Sequence, residues 1–257
     1  MLVEISYVYC YGEAYIPPKD WKYSHNMVNR LYYIHHGSGE YICGGQKYKF
    51  KKNRLYLFPE GAEFNVISYE DDPLYHTYID FEVIPPFTYR KVFEMDIETD
   101  SFLKASCGLF LEGAKMFSEG GILSDEILRR GTAAGLCFAN ICYLCEKITG
   151  DIKNADADIY VKDELVNNVV REIIKNIDKE LSVKELAKQF FITPNALIRR
   201  FKKKVNTTPY AYLKKLRINK AYHMTQRGYS AEEAAHACGY SDASSLLHAM
   251  RDFKDLK

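Results

Sequence analysis

Through about residue 90 the apolar positions alternate with polar ones in short runs, each broken by turn residues. RLYYIHH stops at Gly37-Ser38-Gly39, and EYICGGQKYKF folds back at Gly44-Gly45. RLYLF stops at Pro59-Glu60-Gly61, and PLYHTYIDFEV at Pro85-Pro86. Tyr-, Ile- and Phe-rich runs at this spacing predict antiparallel strands in a small barrel or sandwich. From about Ser101 the period becomes helical. Ile127, Ala134, Cys137, Ile141, Leu144 and Ile148 are spaced by 7, 3, 4, 3 and 4 residues, a heptad-like stripe. Such a stripe serves equally as a seam between two copies or as the face that lays a helix on its own barrel. GDIKNADAD is polar and Asp-rich, which predicts a linker over 151–160. Beyond it Leu165, Val169, Ile173 and Ile177 restore helical spacing. The expected fold is α+β in two domains: an antiparallel β-barrel with helices over 1–150, and an all-α domain over 161–257.

The helical half carries its own start signals. Ser182 precedes Glu185 at capping-box spacing, so a helix is predicted from Val183. Thr193-Pro194 supplies an N-cap and a first-turn proline for a second helix. In that helix Leu197 and Phe201, four apart, face inward, while Asn195, Ile198, Arg199 and Lys202 project outward. Two short helices with a tight turn and cations on the second describe a helix-turn-helix. A solvated basic face on an ordinary helix would match one such unit equally well. The repeat decides between them. Ser182, Glu185 and Ala187 recur 48 positions later as Ser230, Glu233 and Ala235. Leu197, Arg199 and Phe201 recur 49 later as Leu246, His248 and Met250. PYAYLKKLRINKAYHMTQ, between the units, predicts one long helix with Leu213, Ile218 and Ala221 as an inner face.

Charge sharpens this reading. Net charge is +1, yet residues 180–257 hold 15 Lys plus Arg against 7 Asp plus Glu, and residues 1–179 hold 20 against 27. From Leu186 to Ala231 there is no acidic residue, while Lys188, Arg199, Arg200, Lys202, Lys203, Lys204, Lys214, Lys215, Arg217, Lys220 and Arg227 all fall there. A basic, polyanion-facing module joined to an acidic one is implied. Hydrophobic residues at 47% and charged residues at 27% describe a globular chain.

LSVKELAKQFFITPNALIRRFKK, TPYAYLKKLRINKAYHM and GYSAEEAAHACGYSDASSLL together resemble the AraC family of bacterial transcription regulators. The most specific elements are Pro209 with Tyr212-Leu213, Arg217 with Ala221, and Gly239-Tyr240-Ser241-Asp242. The first half is more weakly similar to that family's cupin-like sensor, through Pro59-Glu60-Gly61 and PLYHTYIDF. The resemblance implies paired helix-turn-helices entering successive major grooves and a barrel that binds an effector, often a sugar. Arg199 falls on a base-reading position of that family. Candidate DNA contacts are Thr193, Asn195, Ile198, Arg199, Lys202 and Lys203 in the first unit, and Ser244, Ser245 and His248 in the second. The implied partners are double-stranded promoter DNA, a small-molecule effector, a second copy of the chain and RNA polymerase, in a cytoplasmic, nucleoid-associated protein. Three features depart from the pattern. Asn206 replaces a Gly before Thr-Pro, DASSLLHAMRDF lacks the usual aromatic and Arg, and the chain stops at Lys257 before the family's closing segment.

Candidate chemistry in the first half is thinner. Arg30, Tyr33, Tyr41, Phe58, His76 and Tyr78 offer aromatic faces and donors of the kind that hold sugars or carboxylates, although Tyr is abundant here at 21 residues. The competing reading is a cupin-type metalloenzyme with a basic helical tail, drawing on His25, Glu63 and His76. Adjacent His35 and His36 point to opposite faces of a strand, and the spacing is no recognised ligand set. No phosphate loop, GxSxG or HExxH occurs, and no cofactor is expected. A regulator acting through protein partners is the third reading. Seven scattered cysteines suit a reducing compartment, and Cys137, Cys142 and Cys145 within a helical pattern read as buried thiols rather than metal ligands. MLVEISYVYC lacks a basic n-region, and no apolar run is long enough to span a membrane.

Overall fold

The computed structural model describes residues 3–16, 20–23, 27–98, 100–116, 122–123, 131–150 and 159–255. One compact unit takes the residues up to Val83 together with Tyr89–Ile159. The other takes Ile84–Thr88 together with the residues from Tyr160 onward.

The alternating runs form ten described strands: β1 Glu4–Tyr15, β2 Asp20–Tyr23, β3 Asn29–His36, β4 Gly39–Cys43, β5 Gln46–Lys49, β6 Arg54–Phe58, β7 Phe64–Ser68, β8 Tyr75–Ile84, β9 Phe93–Asp96 and β10 Ile122–Leu123. They make a six-stranded sheet in the order β10-β1-β8-β3-β6-β9 and a four-stranded sheet in the order β2-β7-β4-β5. Among the described residues the strands thus make two facing sheets that do not close into one barrel. Gly44 and Gly45, both at positive φ, make the tight β4–β5 hairpin that the sequence announces. Tyr32, Ile34, Tyr56 and Phe58 of the larger sheet meet Tyr41, Phe64 and Val66 of the smaller in one buried cluster.

Two described helices follow, α1 Ser101–Met116 and α2 Thr132–Gly150. α2 packs on α1 and on β1, β6 and β9. Its stripe is buried within the one chain: Ala134 at 4%, Cys137 at 3%, Ile141 at 1%, Leu144 at 0% and Ile148 at 2% exposure. Asn140 Nδ2 donates to the Ser106 carbonyl at 2.8 Å and ties the two helices together. The heptad-like spacing therefore belongs to internal packing, and the seam between copies that it also allowed is set aside. Ile127 lies outside the described residues. The thiols of Cys137, Cys142 and Cys145 are pushed up by burial.

The helical unit contains α3 Glu164–Lys175, α4 Val183–Gln189, α5 Pro194–Val205, α6 Pro209–Gln226, α7 Ala231–Ala237 and α8 Ala243–Asp255. α3 buries Val166, Val169, Val170, Ile173 and Ile174 on one face. No described helix is long and apolar enough to cross a membrane.

Candidate nucleic-acid interface

Local chemistry fixes the first helix-turn-helix. Ser182 Oγ accepts from Glu185 N at 3.1 Å and Glu185 Oε2 accepts from Ser182 N at 2.9 Å, the reciprocal cap that starts α4. Such a cap stabilises a helix by about 1 kcal/mol. The turn reverses at Phe191, φ +57°, and Thr193 Oγ1 then accepts from Ala196 N at 3.2 Å to open α5 at Pro194. Leu197 and Phe201 are wholly buried. That orientation leaves Asn195, Arg199, Lys202 and Lys203 exposed with Ile198 half-buried between them, and Thr193 exposed at the N-terminal end. No acidic residue occupies the first turn of α5, so its positive dipole end faces outward uncompensated. Lys202, Lys203 and Lys204 fill the last turn, where the negative dipole end also favours them. α5 stops at Asn206, φ +61°, whose N–H donates to the Lys202 carbonyl at 3.0 Å, so the Gly-to-Asn departure fits a left-handed cap.

The second unit repeats the geometry with different electrostatics. Ser230 and Glu233 make the same reciprocal cap on α7. Gly239, φ +72°, turns the chain, and a Cβ there would sit 2.7 Å from the Asp178 carbonyl oxygen, so only glycine fits. α8 is then opened by carboxylates: Asp242 Oδ1 accepts from Ser245 N at 2.7 Å and Glu232 Oε2 from Ala243 N at 3.1 Å. The Ser245 backbone bond chiefly holds the Asp242 carboxyl below its ordinary range. Two negative charges thus guard the helix end that would meet a phosphate. Ser244, Ser245 and His248 are all exposed. Ser245 Oγ is 3.1 Å from Ser241 Oγ, and His248 Nδ1 lies 3.4 Å from Asp252 Oδ1, which also pairs with Lys214 through its other oxygen at 3.4 Å. The exposed face of α8 thus carries carboxylates where that of α5 carries cations.

The basic run divides in space. Lys188, Arg199, Lys202, Lys203, Lys204 and Arg227 are exposed. Arg200 Nε instead bonds Asp163 Oδ2 at 2.9 Å. Lys215 is 7% exposed, its Nζ 4.3 Å from the Tyr212 ring centroid. Arg217 donates from Nε to the Ile177 carbonyl at 2.8 Å and from Nη2 to the Lys179 carbonyl at 2.6 Å, with its guanidinium 5.8 Å from the Tyr240 ring centroid. These three cations build the unit. Sequence reasoning placed them in the charge run without that role.

The six side chains nominated for an effector do not converge as a set. β3 alternates faces, so Tyr32 joins the inter-sheet cluster while Tyr33 points to the other side, beside Cys107 of α1. There its ring meets His35 at 4.6 Å. Tyr33 therefore leaves the group. Tyr41, 4% exposed, and Phe58, wholly buried, are core: their rings lie 6.0 Å apart, and Phe58 meets Phe64 at 4.3 Å. Arg30 Nη2 bonds Asp80 Oδ2 at 3.0 Å. His76 packs on Tyr32 and Tyr78, and its Nδ1 lies 2.9 Å from the Ala14 carbonyl oxygen. Burial pushes its pKa down to about 4, so it is neutral at pH 7 and donates that bond. The nominated metal ligands can be placed only in part. Glu63 is exposed, His76 is buried on a carbonyl, and His25 lies outside the described residues.

A helix-turn-helix domain family matches residues 186–256. The chain is 20% identical over 248 residues to the HTH-type transcriptional activator RhaS of Escherichia coli, covering 93% of this chain and 86% of the relative. Two ToxT structures from Vibrio cholerae share the fold. The wild type with bound unsaturated fatty acid has a TM-score of 0.56 and 8% identity, covering 98% of this chain and 89% of that one. An apo lysine-to-alanine variant has a TM-score of 0.58 and 9% identity, covering 94% and 92%.

Proposed function

Because the chain belongs to the AraC family of transcription regulators, we propose that it reads promoter DNA chiefly through α5. Asn195, Ile198 and Arg199 meet base edges, and Thr193, Lys202 and Lys203 meet phosphates. Arg suits guanine, whose O6 and N7 its fork engages together, whereas Lys is a point charge suited to phosphate. Ser244, Ser245 and His248 add a weaker second contact. One observation carries this reading: a recognition helix whose buried Leu197 and Phe201 leave a cation-bearing, acid-free face outward, preceded by an open N-terminus. The N-terminal unit is the sensor for a small molecule. A sugar fits the aromatic character of the sandwich, and the fatty acid bound by ToxT makes a carboxylate ligand the second class to test. The protein is a regulator rather than an enzyme, works as a homodimer beside RNA polymerase, and resides in the cytoplasm at the nucleoid.

A mobility-shift titration against duplex DNA from upstream of its own coding sequence, run at rising salt, tests the reading. Binding whose logarithm falls steeply with the logarithm of salt is expected, because each phosphate contact releases counterions. A slope near zero, or no complex at low salt, would defeat it.

A further inference from the structure

Ile84–Thr88 belong in sequence to the N-terminal half and in space to the helical unit. Pro85, Pro86 and Phe87 are buried, Phe87 at 4% exposure. Phe87 makes an antiparallel bridge with Tyr160, and the two rings stack with centroids 4.9 Å apart. The next residue, Val161, donates its N–H to the Pro86 carbonyl at 2.9 Å and accepts Asn167 Nδ2 at 3.1 Å. The stretch entering α3 is therefore gripped from both sides.

Two residues on comes Asp163. Its Oδ1 caps α3 by accepting from Val166 N at 3.1 Å, and its Oδ2 accepts Arg200 Nε at 2.9 Å. The carboxylate side chain is only 6% exposed. Burial alone would raise its pKa, yet the Arg200 and Val166 bonds hold it below the ordinary range. Arg200 neighbours Arg199 on α5. One residue is a rotation of about 100° about a helix axis. Fixing Arg200 therefore fixes the direction in which Arg199 leaves.

We propose that residues 84–88 are a clasp through which the N-terminal half holds the first recognition helix in register, with Asp163 as the positioning residue. The covalent route is short. β8, which carries His76 and Tyr78, runs directly into Ile84. The segment then reaches Arg200 through Tyr160, Val161 and Asp163. A change on β8 thus has a path to base reading that bypasses the linker. The inference rests on the DNA-binding reading above.

The test uses the full chain and fluorescence anisotropy against the duplex that the wild type selects, with a scrambled duplex beside it. Asp163→Asn keeps a capping side chain but loses the charge that holds Arg200. It should weaken the specific duplex about fivefold, the lower end of ordinary coupling, and barely change the scrambled one. A general loss of folding would weaken both alike. Phe87→Ala should do the same, and Tyr160→Leu carries the same expectation should Phe87→Ala prevent folding. The double variant should be no weaker than the worse single one, since both act through Arg200. Full additivity, or an Asp163→Asn chain that discriminates like the wild type, overturns the clasp while leaving DNA binding intact. A wild type that binds no duplex overturns both readings.

Discussion

Lys203 and Arg217 stand in one acid-free run, yet the first is proposed to meet DNA and the second packs within the helical unit, and substituting each by Ala separates the two. Lys203 is exposed at the end of α5 with no ion pair among the described residues. Its loss should reduce the slope of log affinity against log salt by about 0.9, one phosphate contact, and leave the thermal midpoint unchanged. Arg217 gives two charge-assisted bonds to carbonyls at 2.8 and 2.6 Å. Bonds of this kind are each worth about 1.5–3 kcal/mol, and partial exposure places these at the lower end. Arg217→Ala should then cost about 2–3 kcal/mol of stability, a midpoint lower by roughly 10–20 °C for a unit of this size. Its salt slope, measured below that midpoint by anisotropy between about 50 and 200 mM salt, should match the wild type. The reasoning is refuted if Arg217→Ala flattens the slope as Lys203→Ala does and melts at the wild-type temperature.

Three further outcomes are expected. Arg199→Ala should cost about 1–3 kcal/mol on the specific duplex and far less on scrambled DNA, with His248→Ala costing less because His248 is engaged by Asp252; equal losses on both duplexes would make Arg199 a phosphate contact. Ile141→Glu buries a carboxylate at a site 1% exposed and should unfold the N-terminal unit in circular dichroism, so a folded, monomeric variant would restore the seam between copies. Phe191→Gly should raise stability by about 0.5–1 kcal/mol, because a 95% exposed ring now sits on a left-handed backbone; a lower melting point would show that the ring has a packing role.

The helix-turn-helix half was legible because its signals are local. Ser182 to Glu185, Thr193-Pro194 and their recurrence at Ser230 to Glu233 each lie within one helical turn, and the structure makes those hydrogen bonds. Leu197 and Phe201 at i, i+4 then dictate where Arg199 points. The roles of Arg200 and Arg217 were not legible, since their partners Asp163 and Ile177 lie 37 and 40 residues away. In the sandwich the error was one of parity. Residues 30 and 33 differ by an odd number, so a period of two already sends Arg30 and Tyr33 to opposite faces. Tyr41 and Phe58 fared differently: an aromatic that lines a pocket and one that fills a core look alike in sequence. The stripe on α2 had the same ambiguity, which only its neighbours could resolve.

The division of the chain also bears on how this protein can be taken apart. A fragment or chimera cut within the polar sequence stretch 151–160 would not excise the helical unit whole. It would leave Phe87 behind on the other piece, uncover Tyr160 and Val161, and loosen the entry to α3. Grafting the helical unit onto another domain therefore calls for two junctions, one within 151–160 and one that carries Ile84–Thr88 across with it.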